Sequence, residues 1–186
     1  MGLQCLKTDI PEVLLITPKV FGDRRGFFME TFHEEKYRAL GIQDAFVQDN
    51  FSHSRQGTLR GLHYQLPHAQ AKLVSVIKGK VYDVVVDIRA GSPSFGRWVG
   101  AILSDENHTQ LYVPKGFAHG FCVLSDEVDF MYKCTDFYSP SDEHGVLWSD
   151  PALGVKWPLL EPLLSDKDTR YPPLAQIPRD QLPSYP

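Results

Sequence analysis

Ten short segments rich in Val, Ile, Phe and Tyr, separated by turn residues, limit what this chain can fold into more than any other feature. They are Val13–Thr17, Phe27–Thr31, Ala45–Phe51, Thr58–Gln65, Lys72–Lys78, Val81–Ile88, Trp98–Leu103, Thr109–Val113, Gly120–Leu124 and Val128–Thr135. β-Branched and aromatic side chains suit a pleated, half-buried surface. Lys78-Gly79-Lys80, Ala90-Gly91-Ser92-Pro93 and Pro114-Lys115-Gly116 supply the residues that tight turns need. One stretch reads as a helix: Thr31 is placed to cap it, Glu34 stands three residues on as in a capping box, and Ala39-Leu40-Gly41 closes it. Many short strands with few helices predict an all-β sandwich or barrel.

A chain of 186 residues is expected to form one domain, residues 1–186. Seven of the fourteen prolines lie at or after Pro158, and Pro172-Pro173 blocks regular structure. Residues from about 158 to 186 therefore read as a proline-rich C-terminal arm running over the surface. The formal net charge of −4 argues against nucleic-acid or anionic-membrane partners, while local cations (Arg24, Arg25, Arg60, Lys72) leave room for an anionic small molecule. No apolar run is long enough to span a bilayer, and the first residues lack the basic-then-apolar pattern of a signal peptide. Three cysteines with no C-x-x-C pair point to free thiols in a reducing cytoplasm.

The segment Thr58-Leu59-Arg60-Gly61-Leu62-His63-Tyr64-Gln65 carries the most chemistry. Strand alternation puts Gly61, His63 and Gln65 on one face. Arg60 should face the other way unless Gly61 marks a bulge. An inward-facing His is a candidate general base, because its ordinary pKa lies near neutrality; by itself it reads more readily as a hydrogen-bonded core or surface histidine. A second segment, Pro114-Lys115-Gly116-Phe117-Ala118-His119, places His119 at the start of a strand and resembles the second conserved motif of cupins, which are jelly-roll barrels. Metal-binding cupins add an H-x-H pair and a Glu. Here His63-Tyr64-Gln65, Gln70 and Lys72 stand in those places, so no metal is expected. Tyr132 shares a strand face with Val128, Phe130 and Cys134, and Ser165 to Thr169 form a polar cluster on the arm. No Gly-rich phosphate cradle, Walker sequence or nucleophile elbow is present.

Several motifs in register narrow the reading. Phe21-Gly22-Asp23-Arg24-Arg25-Gly26-Phe27-Phe28, Phe46-Val47-Gln48-Asp49-Asn50, Leu59 to His63, Asp83 to Arg89, Ser92 to Gly96, Pro114 to Phe121, Tyr138-Ser139-Pro140 and Ser165 to Asp168 resemble the dTDP-4-dehydrorhamnose 3,5-epimerase family. The resemblance runs from about residue 9 to residue 169. It implies a metal-free cupin isomerase without cofactor, acting on a dTDP-sugar nucleotide in deoxysugar biosynthesis, and assembled as a homodimer. By the same resemblance His63 is the general base, Asp168 its paired carboxylate, Tyr132 the general acid, and Lys72 the cation beside the sugar's ketone oxygen. Arg25, Glu30, Gln48, Asp49, Asn50, Arg60, His119, Tyr138, Glu143 and Lys167 fall on positions that hold the nucleotide or sugar. Two alternatives stay open at this level: a mono-epimerase inverting C3 or C5 alone, and a sugar-nucleotide-binding cupin without activity.

Overall fold

A computed structural model describes residues 2–186. Two antiparallel sheets face each other. The first, in spatial order, holds β1 (Leu3–Lys7), β2 (Leu14–Pro18), β10 (Gln110–Val113), β7 (Lys72–Lys78), β12 (Glu127–Cys134) and β5 (Gln48–Arg55). The second holds β13 (Glu143–Gly145), β6 (Leu59–Gln65), β11 (Phe117–Val123), β8 (Lys80–Asp87) and β9 (Trp98–Ser104). A separate hairpin joins β3 (Val20–Asp23) to β4 (Gly26–Met29). This is the all-β jelly-roll architecture that the strand pattern and the cupin resemblance predict.

Burial explains why the central strands read as nearly continuous apolar runs. Every residue of β11 is buried, and so are Val84, Val85 and Val86 of β8. Alternate residues of these strands feed two different cores. Val81, Val85, Phe117, Phe121, Val123, Val74, Val76, Leu111, Val128 and Phe130 pack between the sheets. Leu62, Tyr64, Val84, Val86 and Ala118 point to the opposite face of the second sheet and are covered by Leu153, Leu174 and Ile177. The C-terminal arm is thus anchored rather than loosely draped: Leu174 and Ile177 are buried, Leu163 bridges to Thr58, and Ser184 bridges to Ala90. A third cluster, with Ile16, Leu73, Tyr112, Tyr37 and Ile42, seats α1 (Glu34–Arg38), the one α-helix among the described residues, on the first sheet.

Several local expectations need correction. The helix has five residues, its N-cap is His33, and no side chain caps it. The carbonyl of Thr31 instead accepts hydrogen bonds from Tyr37 Oη and Gln110 Nε2 at 3.1 and 2.9 Å, which anchors the chain entering the helix without capping its N–H groups. Gly41 does take the left-handed conformation expected after the helix, at φ +99°. β11 begins at Phe117, which puts His119 inside the strand rather than at its start. The strand expected from Ala45 starts at Gln48. The short or edge strands β1, β3 and β13 have no counterpart among the ten expected segments.

Gly61 is the local irregularity that matters most for function. His119 pairs with His63 and Phe121 pairs with Arg60, so two residues of β6, Gly61 and Leu62, stand opposite the single Gly120 of β11. That bulge puts Arg60 on the His63 face, where simple alternation would have separated them. The site demands glycine: φ is +128°, and a β-carbon would stand 2.5 Å from Gly120 Cα and 2.8 Å from the His119 carbonyl oxygen.

Candidate active site

Between the sheets lies a cavity of about 840 Å³, within the usual size range for small-molecule sites. His63, Arg60 and Gln65 enter it from β6, His119 from β11, Lys72 from β7, Tyr132 from β12, Gln48 and Asn50 from β5, and Lys167 and Asp168 from the C-terminal arm. β6 and β11 belong to one sheet, β7 and β12 to the other. A molecule in the cavity therefore meets His63 on one side, and Tyr132 and Lys72 on the other.

His63 and Asp168 form the tightest polar pair. His63 Nε2 lies 2.5 Å from Asp168 Oδ1, and Ser165 Oγ donates to Asp168 Oδ2 at 2.7 Å. Asp168 is 2% exposed, so this carboxylate is held where water barely competes. Burial alone would raise its pKa. The hydrogen bonds from His63 and Ser165 and the nearby Lys167 charge outweigh that and keep it below the usual carboxylate range. Burial lowers the His63 pKa below 6.5, and Asp168 opposes the shift without cancelling it. An ionised Asp168 next to a neutral imidazole fixes Nε2 as the protonated nitrogen and leaves the Nδ1 lone pair free. Nδ1 has no hydrogen-bond partner among the described residues.

Across the cavity, two groups are left unpaired. The Lys72 ammonium has no carboxylate within ion-pair distance among the described residues and sits 5.8 Å from the Tyr132 ring centroid. Burial lowers its pKa, with Cys134, Glu143 and Asp83 opposing. The Tyr132 hydroxyl likewise makes no hydrogen bond among the described residues, and burial raises its pKa. It therefore stays protonated at neutral pH. Such an arrangement can take a proton from one face of a bound molecule, stabilise negative charge beside it and return a proton to the opposite face.

A second His–Asp pair lies beside the first. His119 Nε2 approaches Asp83 Oδ1 and Oδ2 at 2.8 and 3.0 Å, and Asp83 is fully buried. Arg60 donates from Nε and Nη2 to Ser54 Oγ at 3.1 and 3.0 Å, which orients the guanidinium and leaves Nη1 available. At the rim, Glu143 accepts from Lys167 Nζ at 2.5 Å and from Tyr138 Oη at 2.9 Å, while Gln48 Nε2 donates to Asn50 Oδ1 at 3.0 Å. Among the described residues no three His, Cys, Asp or Glu side chains converge as metal ligands. Gln65 and Gln70 instead donate to backbone carbonyls, Gln65 to His68 and Phe137 and Gln70 to Asp136.

Three residues assigned by resemblance stand apart from this cavity. Asp49 alternates with Gln48 and Asn50 on β5, so its carboxylate turns to the other face of the sheet, where Lys133 Nζ donates to it at 2.9 Å. Arg25 lies on the β3–β4 hairpin, exposed and paired with Asp23 at 2.7 Å; Glu30 follows that hairpin and pairs with Lys36. Asp83, Ser54 and Ser165 are site residues to which the sequence assigned no role, although Asp83 and Ser165 lie within motifs quoted above. Asp83 had a legible signal, since a carboxylate inside the apolar run Val81–Val86 must find a buried partner. Ser165 was visible only as a member of the polar cluster on the arm, and nothing in the sequence marked Ser54.

Comparison with known proteins finds relatives over nearly the whole chain. The family model described as dTDP-4-dehydrorhamnose 3,5-epimerase matches residues 7–176. A dTDP-4-dehydrorhamnose 3,5-epimerase of Shigella flexneri is 58% identical over 168 residues, 89% of this chain and 93% of the relative. The crystal structure of a dTDP-6-deoxy-D-glucose-3,5-epimerase from Legionella pneumophila, in complex with dTDP-4-keto-L-rhamnose, superposes with a TM-score of 0.97 at 53% identity, covering 99% of each chain. A Bacillus anthracis dTDP-4-dehydrorhamnose 3,5-epimerase with TDP and PPi bound gives a TM-score of 0.90 at 48% identity, over 92% of this chain and 99% of that one.

Proposed function

This chain belongs to the dTDP-4-dehydrorhamnose 3,5-epimerase family, and on that premise we propose how its residues convert dTDP-4-dehydro-6-deoxy-D-glucose to dTDP-4-dehydro-L-rhamnose. C3 and C5 both flank the C4 ketone, so loss of either proton gives an enolate with its charge on O4. His63 Nδ1 takes the proton, and Asp168 stabilises the imidazolium that forms. Lys72 meets the charge on O4, in a cavity where charges interact more strongly than in water. Tyr132 returns a proton from the opposite sheet, and that change of face inverts the centre. The single observation that carries this reading is the opposition across one cavity of the His63–Asp168 pair and the unpaired Lys72 and Tyr132.

Arg60, preset by Ser54, is assigned to the diphosphate, whose oxygens suit a guanidinium fork. Gln48, Asn50, Tyr138, Glu143 and Lys167 at the rim are assigned to the nucleotide, and His119 to the sugar. Arg25 and Glu30 are assigned to the cavity of a second copy. Their hairpin projects with Phe21, Phe27 and Phe28 exposed, an apolar edge that pairing across a two-fold axis would cover. The working unit is then a homodimer of one cupin domain per chain. Three free cysteines support a reducing cytoplasm as its location.

The test is turnover of purified protein with dTDP-4-dehydro-6-deoxy-D-glucose, without added cofactor, followed by NMR. Inversion at both C3 and C5 is the expected product. Inversion at one carbon makes the chain a mono-epimerase, and no turnover makes it a binding protein.

A further inference from the structure

The wall behind the His63 imidazole holds a residue that the mechanism above does not use. Tyr171 does not line the cavity. Its ring meets that of His63 edge-on, with centroids 5.7 Å apart and planes at 69°. The Tyr171 ring also presses on Gly145 so closely that a β-carbon there would lie 2.5 Å from Cδ2 and Cε2 and 2.6 Å from Cζ. Gly145 is the residue that pairs with His63 across β13 and β6. The Leu147 N–H, just beyond β13, donates to the carbonyl of Pro172 at 2.9 Å, which ties the segment holding Tyr171 to that strand. The ring therefore fills a slot whose walls are the backbone of Gly145 and the edge of the catalytic imidazole.

We infer that Tyr171 is a positioning residue for His63, and that Gly145 is glycine in order to admit it. This rests on the assignment of His63 as the base. The imidazole has two freedoms that harm a base: rotation about its side-chain bonds, and entry of water to the Nε2–Asp168 hydrogen bond. Asp168 restrains the first at one atom only. The Tyr171 ring restrains the plane and closes the side away from the cavity. Charged and titratable groups facing His63 from the other elements are Asp168 and Lys167 on the arm, Lys72 on β7, Glu143 on β13 and His119 on β11. None of these is an apolar body that could exclude water in place of the ring. Burial is the largest influence holding the His63 pKa down, so opening this wall raises it.

The experiment compares Tyr171→Ala, Tyr171→Phe and Gly145→Ala with the wild type, measuring kcat, KM and the pH dependence of kcat/KM for the 4-keto sugar nucleotide. Tyr171→Ala is expected to lower kcat about 10-fold or more with KM little changed, since small misplacement of a reacting group is expensive in rate. Its acid limb should move to higher pH, because a wetted His63 is protonated more easily. Tyr171→Phe keeps the ring and should behave as wild type. Gly145→Ala, which evicts the ring by its β-carbon, should reproduce Tyr171→Ala. A folded Tyr171→Ala with unchanged kcat and an unmoved acid limb overturns the inference, even if its melting temperature drops. So does a Tyr171→Phe as impaired as the alanine variant. If Gly145→Ala does not fold, the Ala and Phe pair at position 171 still decides. Inactive wild-type protein would instead contradict the assignment of function.

Discussion

Replacing Asp168 by Asn separates the charge of the dyad from its shape. The side chain is 2% exposed and makes two short hydrogen bonds, to His63 at 2.5 Å and Ser165 at 2.7 Å. An amide of the same size keeps the packing and removes the anion. In the resting enzyme the loss is modest, because His63 is neutral. After proton abstraction it is larger, because the imidazolium then has no counter-charge in a site that excludes water. A hydrogen bond to a charged group contributes about 1.5–3 kcal/mol. Felt only in the transition state and the enolate, that amounts to a loss of roughly 10- to 150-fold in kcat. KM should stay nearly constant, since nothing that holds the nucleotide is touched. The assay is steady-state turnover by NMR or coupled reduction of the product, with folding checked by circular dichroism. An Asp168→Asn variant within twofold of the wild-type kcat would refute the role of the charge. A large rise in KM with kcat unchanged would move Asp168 from catalysis to binding.

Three further outcomes are expected. Tyr132→Phe should keep exchange of substrate protons with solvent while losing inversion; inversion at the wild-type rate would hand the acid role to another group. The kcat/KM profile should be bell-shaped: the lowered His63 pKa puts the acid limb below 6.5, because the base must be neutral, and the lowered Lys72 pKa puts a basic limb below 10.5, because that group must be charged. An acid limb above 6.5 would contradict the buried-base picture. Inactive His63→Ala and Arg25→Ala chains, unfolded and refolded together, should regain activity as mixed dimers with one intact site; verified mixed dimers without activity would place Arg25 outside the partner's cavity.

How much of this was legible in the sequence varies from residue to residue. The two sheets were, because Lys72–Lys78, Val81–Ile88 and Val128–Thr135 carry dense β-branched and aromatic runs bounded by turns. The edge strands were not. β13 has three residues and β1 is half exposed, so neither carries a burial pattern to read. Gly61 was legible as a possible bulge, yet only the pairing with β11 decides that Arg60 joins His63 in the cavity. Asp49 shows the opposite failure: resemblance grouped it with Gln48 and Asn50, although a period of two residues already sends its side chain to the other face. The arm was legible as irregular from its prolines. That it buries Leu174 and Ile177 and delivers Asp168 to a histidine 105 residues earlier depends on long-range packing, which local composition does not encode.

In this mechanism one imidazole, that of His63, serves both carbons. This is tested most directly by following deuterium entry at C3 and C5 of the 4-keto sugar nucleotide by NMR in deuterated buffer, for wild type and for His63→Ala. Label should enter at both carbons with the wild type, and both signals should be lost together in the variant. Label retained at either carbon at near the wild-type rate would contradict it and require a second base.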